Sequence, residues 1–228
     1  MDKLVMIREV TYLAVILRIV AAVLVGGIIG FEREMKNRAA GLRTYILVCV
    51  GSCMIMLTNQ YIYQSFAVGD PVRMAAQVVS GIGFLGAGTI IVTKRSQIKG
   101  LTTAAGLWTT AGLGIAIGIG FYEAAFAGAF VILIVITLMQ KTDDSMRKKS
   151  TRMDIFLEVH KEFSLGDILR QLKSLDMEAS NFQRERDSET QSELRAYSLT
   201  LKLNKRRKHT EVLADLMKIP GVEYLEEL

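Results

Sequence analysis

The chain has 228 residues, half of them hydrophobic, with 22% charged and a net charge of +5. A half-apolar composition is no more than a soluble domain carries, so it excludes little by itself. Two cysteines inside one apolar window give no readable disulfide framework. Charges avoid several long windows before Gln140, which places the positive excess at a membrane surface rather than on nucleic acid.

An uncharged apolar stretch of about 18 residues or more is a candidate membrane span. Five are expected, over Val10–Gly30, Leu42–Tyr61, Pro71–Val92, Leu101–Ile117 and Gly120–Met139. At 1.5 Å per residue, about 20 residues cross a hydrocarbon core of about 30 Å. Tyr12 to Gly30 is too long, and too glycine-rich at its end, for a cleaved signal peptide. The connections alternate in charge. The first carries Arg33, Lys36, Arg38 and Arg43, and the second has no Lys or Arg until Arg73 at its far edge. The third carries Lys94, Arg95 and Lys99, and the fourth carries Glu123 and nothing basic. After the last span come Lys141, Arg147, Lys148, Lys149 and Arg152. Basic connections stay cytoplasmic. The pattern therefore predicts an odd number of spans, with the N-terminus outside and the C-terminus in the cytoplasm.

Residues 1–141 are thus expected to form the membrane domain, 142–152 a basic linker and 153–228 a cytoplasmic domain. In the last, Met153 to His160 reads as a strand. Ser164 to Asp167 opens a helix with capping chemistry, whose apolar face is Ile168, Leu169, Leu172 and Leu175. Strands follow around Met177 to Arg186 and over Ala196 to Leu203. A second helix, His209 to Ile219, turns Val212, Leu213 and Leu216 inward and stops at Pro220-Gly221, before a closing strand from Val222 to Leu225. The order β-α-β-β-α-β is ferredoxin-like. The expected fold class is a membrane all-α bundle of five transmembrane helices plus a small α+β ferredoxin-like domain.

Gly81-Ile-Gly83-Phe-Leu-Gly86 matches the dinucleotide pattern GxGxxG. That pattern needs a preceding strand and an acid about 20 positions on, and neither is present. Small residues in lipid instead let helices approach closely. Ala76, Ser80, Gly83 and Ala87, with Gly86 beside them, make one stripe at helical spacing. Gly106, Thr110, Gly114 and Gly118 make a second, and Gly26 and Gly30 form a GxxxG on the first span. Whether these stripes pack within the chain or between copies is open at this point.

Arg18 is the only charge well inside a span. At mid-membrane it costs at least about 2.5–3.5 kcal/mol, so it should face protein or water and have a partner. Asp70, or the face bearing Arg73 and Gln77, is the expected partner. Glu32, Arg33 and Glu34 end the first span, and Arg43 starts the second. Acids at a helix C-terminus and a base at an N-terminus are each unfavourable by about 0.3–1 kcal/mol. Pairing of Glu32 or Glu34 with Arg43 across the short loop would relieve both. Asp70-Pro71 reads as an N-cap followed by Pro at the first helical position. Cys49 and Cys53 lie four apart without companions and read as buried small hydrophobes. His160 and His209 read as surface or turn residues, and Lys205-Arg-Arg-Lys208 as a solvated or lipid-contacting turn.

The membrane half resembles the MgtC/SapB family of bacterial inner-membrane proteins. Four segments carry the resemblance, in family order: Gly30-Phe-Glu-Arg-Glu34, Ala40-Gly-Leu-Arg-Thr44, Ser80-Gly-Ile-Gly-Phe-Leu-Gly-Ala-Gly-Thr-Ile90 and Gly100-Leu-Thr-Thr-Ala-Ala-Gly-Leu-Trp108. Two positions depart: Ala39 stands where the family has Pro, and Tyr45 where it has His. By strand order the tail resembles the ACT-like domain of the MgtC branch. The resemblance implies a bacterial inner-membrane location and a protein needed for growth at low Mg²⁺ and, in some pathogens, for survival inside macrophages. It also implies action through other membrane proteins, such as a Mg²⁺-transporting P-type ATPase or the ATP synthase. No cofactor and no nucleic-acid partner is expected.

The leading expectation is a regulatory or accessory membrane protein linked to magnesium homeostasis. Mg²⁺ is a hard cation held by carboxylates and retained waters, and no Asp or Glu lies within the interior of an expected span. The alternative is an ion transporter or channel formed by a homo-oligomer, with Asp70, Glu32 or Glu34 at its mouths. No nucleophile–base pair or metal-ligand cluster is legible, so an enzyme is not expected.

Overall fold

The computed structural model describes residues 10–67, 69–70, 72–92, 98–139, 150–184, 194–204 and 207–228. They divide into two compact units, one helical and ending at Met139, the other containing residues 150–228. Residues 142–149 of the expected linker lie outside the described residues, as do Pro71, Lys94, Arg95 and the first half of the Lys205–Lys208 turn.

The helical unit contains α1 (Tyr12–Met35), α2 (Leu42–Phe66), α3 (Arg73–Gly88), α4 (Leu101–Gly118) and α5 (Tyr122–Ile134), the last continuing as a π-helical turn over Val135–Met139. Four of these, with α5 and its π turn taken together, are long and apolar enough to cross a membrane. The third expected span is shorter than its apolar window. Helix α3 has 16 residues, and Ile91–Val92 instead pair with Ile98–Lys99 as strands β1 and β2. The β-branched run Thr89-Ile-Ile-Val favours extended backbone once the helix ends. Gly100 closes this hairpin at φ +100°, with its α-carbon against the Thr89 carbonyl, where a side chain would not fit.

Helices α1, α2 and α4 form the core, and α5 packs on α4. The buried face of α1 is made of small and apolar residues, Ala14, Ala22, Val25, Gly26, Ile29 and Gly30, with two arginines, Arg18 and Arg33. An added Cβ at Gly26 would lie 2.8 Å from the Tyr45 carbonyl oxygen, and one at Gly30 would lie 2.8 Å from the Leu42 α-carbon. On α4, Gly114 and Gly118 sit against the Cys49 and Cys53 carbonyls of α2. These stripes are therefore contacts within the chain, where backbones close enough for dispersion replace side chains. Cys49 and Cys53 are free thiols without solvent exposure.

The second unit is a four-stranded antiparallel sheet in the order β4-β5-β3-β6. Its strands are β3 (Arg152–His160), β4 (Met177–Arg184), β5 (Leu194–Leu203) and β6 (Val222–Glu227), with helices α6 (Leu165–Ser174) and α7 (His209–Leu216) between them. This is the ferredoxin-like arrangement. Alternation along the strands sends Met153, Ile155, Leu157 and Val159 to the helix-covered side, where Ile168, Leu172, Val212 and Leu216 meet them. Ser164 caps α6 with a full capping box, its Oγ accepting from Asp167 N while Asp167 Oδ2 accepts from Ser164 N. His209 is buried, against expectation. It starts α7 facing inward, with Nδ1 2.9 Å from Glu227 Oε1 and Nε2 2.9 Å from the Ser150 carbonyl. His160 stays half-exposed, 3.4 Å from Glu223.

Candidate functional site

Arg18 and Arg33 share one face of α1, 15 positions apart, or about 22 Å along the axis. Both are buried, at 0% and 2% exposure. A charge so placed demands hydrogen-bond acceptors. Helix ends provide them, because the last carbonyls of a helix have no partner within it.

Arg18 Nη1 donates to the Gly118 carbonyl at 2.7 Å, at the last residue of α4. It also donates to Gln60 Oε1 at 2.6 Å, and Nε donates to the Tyr122 hydroxyl at 3.4 Å, where α5 begins. Three elements, α2, α4 and α5, thus converge on one guanidinium. The cation lies at the negative end of the α4 macrodipole, which is its favourable position. A cavity of about 170 Å³, lined by Asn59, Gln60 and Tyr63 among others, opens beside this cluster. The expected partners of Arg18, namely Asp70, Arg73 and Gln77, lie elsewhere. All three are exposed. Helix α1 packs on α2, α4 and α5, whereas α3 leans on α4, so the face bearing Arg73 and Gln77 does not reach Arg18. Asp70 stays local, its Oδ1 accepting from Val72 N at 2.9 Å just before α3.

At the other end of α1, Arg33 Nη2 donates to the Ile136 carbonyl at 3.2 Å, inside the π turn that ends α5. Its Nε pairs with Glu32 Oε2. The other Glu32 oxygen, Oε1, is buried and has no hydrogen-bond partner among the described residues. Glu34 does cross the short loop, but to backbone. Its Oε2 accepts from Leu42 N at 2.8 Å, which caps the first turn of α2. Gly41, at the N-cap, has no side chain to do this, and the Glu34 carboxylate fills the position beside it. Arg43 therefore forms neither of the expected pairs and is exposed.

Tyr45, buried at 0%, donates to the Thr103 carbonyl at 3.5 Å and lays its ring end over Gly106. Thr110 is buried on the same face of α4, its hydroxyl donating to the Gly106 carbonyl at 2.7 Å. The first stripe divides differently. Gly86 packs on Ala104, with an added Cβ at 3.5 Å. Ser80, Gly83 and Ala87 are exposed, and an added Cβ at Gly83 meets nothing. Sequence reasoning missed Gln60 and Tyr122. The signal was present as the polar pair Asn59-Gln60, set near the end of an otherwise apolar window opposite the Arg18 end of α1.

The MgtC family pattern matches residues 19–145, from within α1, just after Arg18, through α5. The protein SapB of Bacillus subtilis is 34% identical over 218 residues, covering 91% of this chain and 92% of that protein. The chain belongs to the MgtC family. The putative magnesium transporter YhiD of Escherichia coli is 36% identical over 163 residues, 69% of this chain and 75% of that protein. The protein MgtC of Salmonella typhimurium is 42% identical over 126 residues, 55% and 52% of the two chains. No solved structure matches. With family membership and four long apolar helices, the chain is a multi-pass membrane protein.

Proposed function

We propose that this MgtC-family protein is a regulatory or accessory inner-membrane protein of magnesium homeostasis that acts by contact with another membrane protein, such as a P-type ATPase or the ATP synthase. The names of its relatives, MgtC and a putative magnesium transporter, support the magnesium link. One observation carries the choice of regulator over conduit. The polar groups buried along the α1 face are two guanidinium ions, one toward each end of the helix. A divalent cation passing along that face would meet positive charge near both mouths at low dielectric. The carboxylate beside it, Glu32, is already paired with Arg33, whereas Mg²⁺ is held by several oxygen ligands. Among the described residues, no group of three His, Cys, Asp or Glu sits together.

The reading includes five spans, with α3 as the third. Its 16 residues reach about 24 Å, and local thinning of the bilayer accommodates the shortfall. The N-terminus is then outside and the second unit cytoplasmic, in keeping with the alternation of basic connections. The cytoplasmic unit, ACT-like in strand order, is suited to sensing a small ligand.

The test is Mg²⁺ flux into liposomes holding only this protein, run alongside crosslinked pull-down from membranes of cells grown at low Mg²⁺. The expected result is no flux and a stable membrane-protein partner. Robust Mg²⁺ uptake by the purified chain would overturn the proposal in favour of an oligomeric transporter.

A further inference from the structure

Helix α3 stands away from α2. Its only buried residues are Ile82 and Gly86, the second against α4. Between α2 and α3 this leaves a groove of about 820 Å³. Leu47, Gly51 and Ile55 form one wall, and Val78, Gly81 and Leu85 the other. An added Cβ at Gly51 or Gly81 meets nothing, and Leu47 is 70% exposed, so the walls are open. From Arg43 to Ile55 the groove runs about 18 Å along α2, slightly more than the roughly 15 Å of one leaflet of hydrocarbon.

An arginine stands at each end, Arg43 at one and Arg73 at the other. Among the described residues, neither guanidinium has a carboxylate partner. The two ends differ. Arg43 has exposed Lys36 and Arg38 in the turn before it, whereas Asp70 lies just ahead of Arg73. The Arg43 mouth therefore carries the stronger positive field.

We infer that this groove binds one anionic glycerophospholipid, its acyl chains along the α2–α3 walls and its phosphate on Arg43. Basic pockets between transmembrane helices hold anionic headgroups in this way, and guanidinium pairs with phosphate through charge-assisted hydrogen bonds. A transmembrane helix from a partner would need an acid at the depth of Arg43. A phospholipid carries the anion and the chains in the required order by construction. A second copy packing on the small-residue stripe would not close the groove. Ala76, Ser80, Gly83 and Ala87 lie about 200° around α3 from Met74, Val78, Gly81 and Leu85, at 100° per residue. The inference needs only that the helical unit sits in a bilayer. It does not depend on the regulatory role proposed above.

The full chain, reconstituted in nanodiscs with equal phosphatidylglycerol and phosphatidylcholine, is released and weighed with its retained lipid by native mass spectrometry. Wild type should retain phosphatidylglycerol about five-fold over phosphatidylcholine, the ratio one basic residue gives at an anionic surface. Arg43→Gln should abolish the preference, and Gly81→Leu should abolish retention of both lipids. A second measurement guards against a misfolded variant. With Trp108→Phe, Leu47→Trp supplies the sole tryptophan, and brominated phosphatidylglycerol should quench it more than brominated phosphatidylcholine. Equal retention of the two lipids by wild type, equal quenching by the two brominated lipids, or unchanged retention by Gly81→Leu would overturn the assignment. Loss of a dimer by Gly81→Leu with lipid retention unchanged would do the same, and would give the groove to a second copy of the chain.

Discussion

The Arg18 guanidinium donates to the Gly118 carbonyl at 2.7 Å, joining α1 to the end of α4. The contact solves two problems together. A helix end buried in lipid has orphan carbonyls, and a buried cation needs acceptors. Arg33 repeats the solution at Ile136. Two arginines on one helix face thus fix where α4 and α5 end against α1.

Arg18→Leu tests whether this is more than carpentry. The change removes a buried charge that costs at least about 2.5–3.5 kcal/mol on insertion. It also strips a donor from the Gly118 carbonyl and Gln60, at about 1–3 kcal/mol for each unsatisfied group. The two effects nearly cancel, so the variant should insert and reach normal abundance in membranes. Growth support at low Mg²⁺ should nevertheless be lost. Full growth support at normal abundance would leave Arg18 a structural donor only.

Gly114→Ala should be far more damaging than its single methyl suggests. The new Cβ would strike the Cys49 carbonyl and lie 2.8 Å from Ser52 Cβ, so α4 must move off α2. Overpacking of this kind costs about 1–3 kcal/mol. Gly112→Ala, two positions away, meets nothing and should leave thermal unfolding in detergent unchanged or slightly raised. Equal midpoints for the two variants would contradict the close approach.

The contrast between Gly114 and Gly83 shows how far the sequence could be read. Both lie on small-residue stripes at helical spacing, and nothing in the letters separates them. One is buried against α2 and the other faces outward, because α3 leans on α4 through Gly86 and touches little else. Elements with strong periodicity were legible: four of the five apolar windows, the capping box at Ser164 and the β-α-β-β-α-β order. The partner of Arg18 was not. Pairing depends on which helices pack side by side, and the search for an acid overlooked backbone carbonyls and Gln60. His209 was misread for the same reason, since a lone histidine before a helix gives no hint of Glu227 or Ser150.

Glu34→Ala should loosen the turn between α1 and α2. The carboxylate is the acceptor for Leu42 N, and loss of a cap acceptor costs about 0.5–2 kcal/mol. Hydrogen exchange at the first turn of α2 should quicken several-fold in Glu34→Ala. Glu34→Gln keeps an acceptor oxygen and should change it little. Arg43→Gln should leave that turn as it is, because Arg43 makes no pair there. Quickened exchange in Arg43→Gln would revive the ion pair across the loop.

Acid should act on the second unit through Asp167 and Asp215. Hydrogen bonds from the Ser164 side chain and backbone, with Arg170 nearby, hold the Asp167 carboxyl below its usual value. Hydrogen bonds from Arg207 and Lys218 do the same for Asp215. A carboxyl depressed in the folded state stabilises above its unfolded value, near pH 3.9. That contribution is lost as pH falls through the lower folded value. Asp167→Asn should therefore weaken α6 at neutral pH while flattening the acid limb of its unfolding. Hydrogen exchange of α6 peptides in the full chain from pH 6 down to pH 3 reads both. An acid limb as steep in Asp167→Asn as in wild type would remove Asp167 from the account.

His209 ties the start of the second unit to its last strand. Its two ring nitrogens lie 2.9 Å from the Ser150 carbonyl and from Glu227, so one side chain joins the residue ahead of β3, the first turn of α7 and the end of β6. His209→Ala removes both links and opens a cavity at a position only 7% exposed. Two lost hydrogen bonds at about 0.5–1.5 kcal/mol each predict a loss of about 1–3 kcal/mol. His209→Gln can restore one link and should fall between. Limited proteolysis of the full chain should show cleavage near Ser150 rising from wild type through His209→Gln to His209→Ala, while the helical unit stays intact. Cleavage near Ser150 that ignores all three side chains would mean the segment entering β3 is held by the β3–β5 ladder alone.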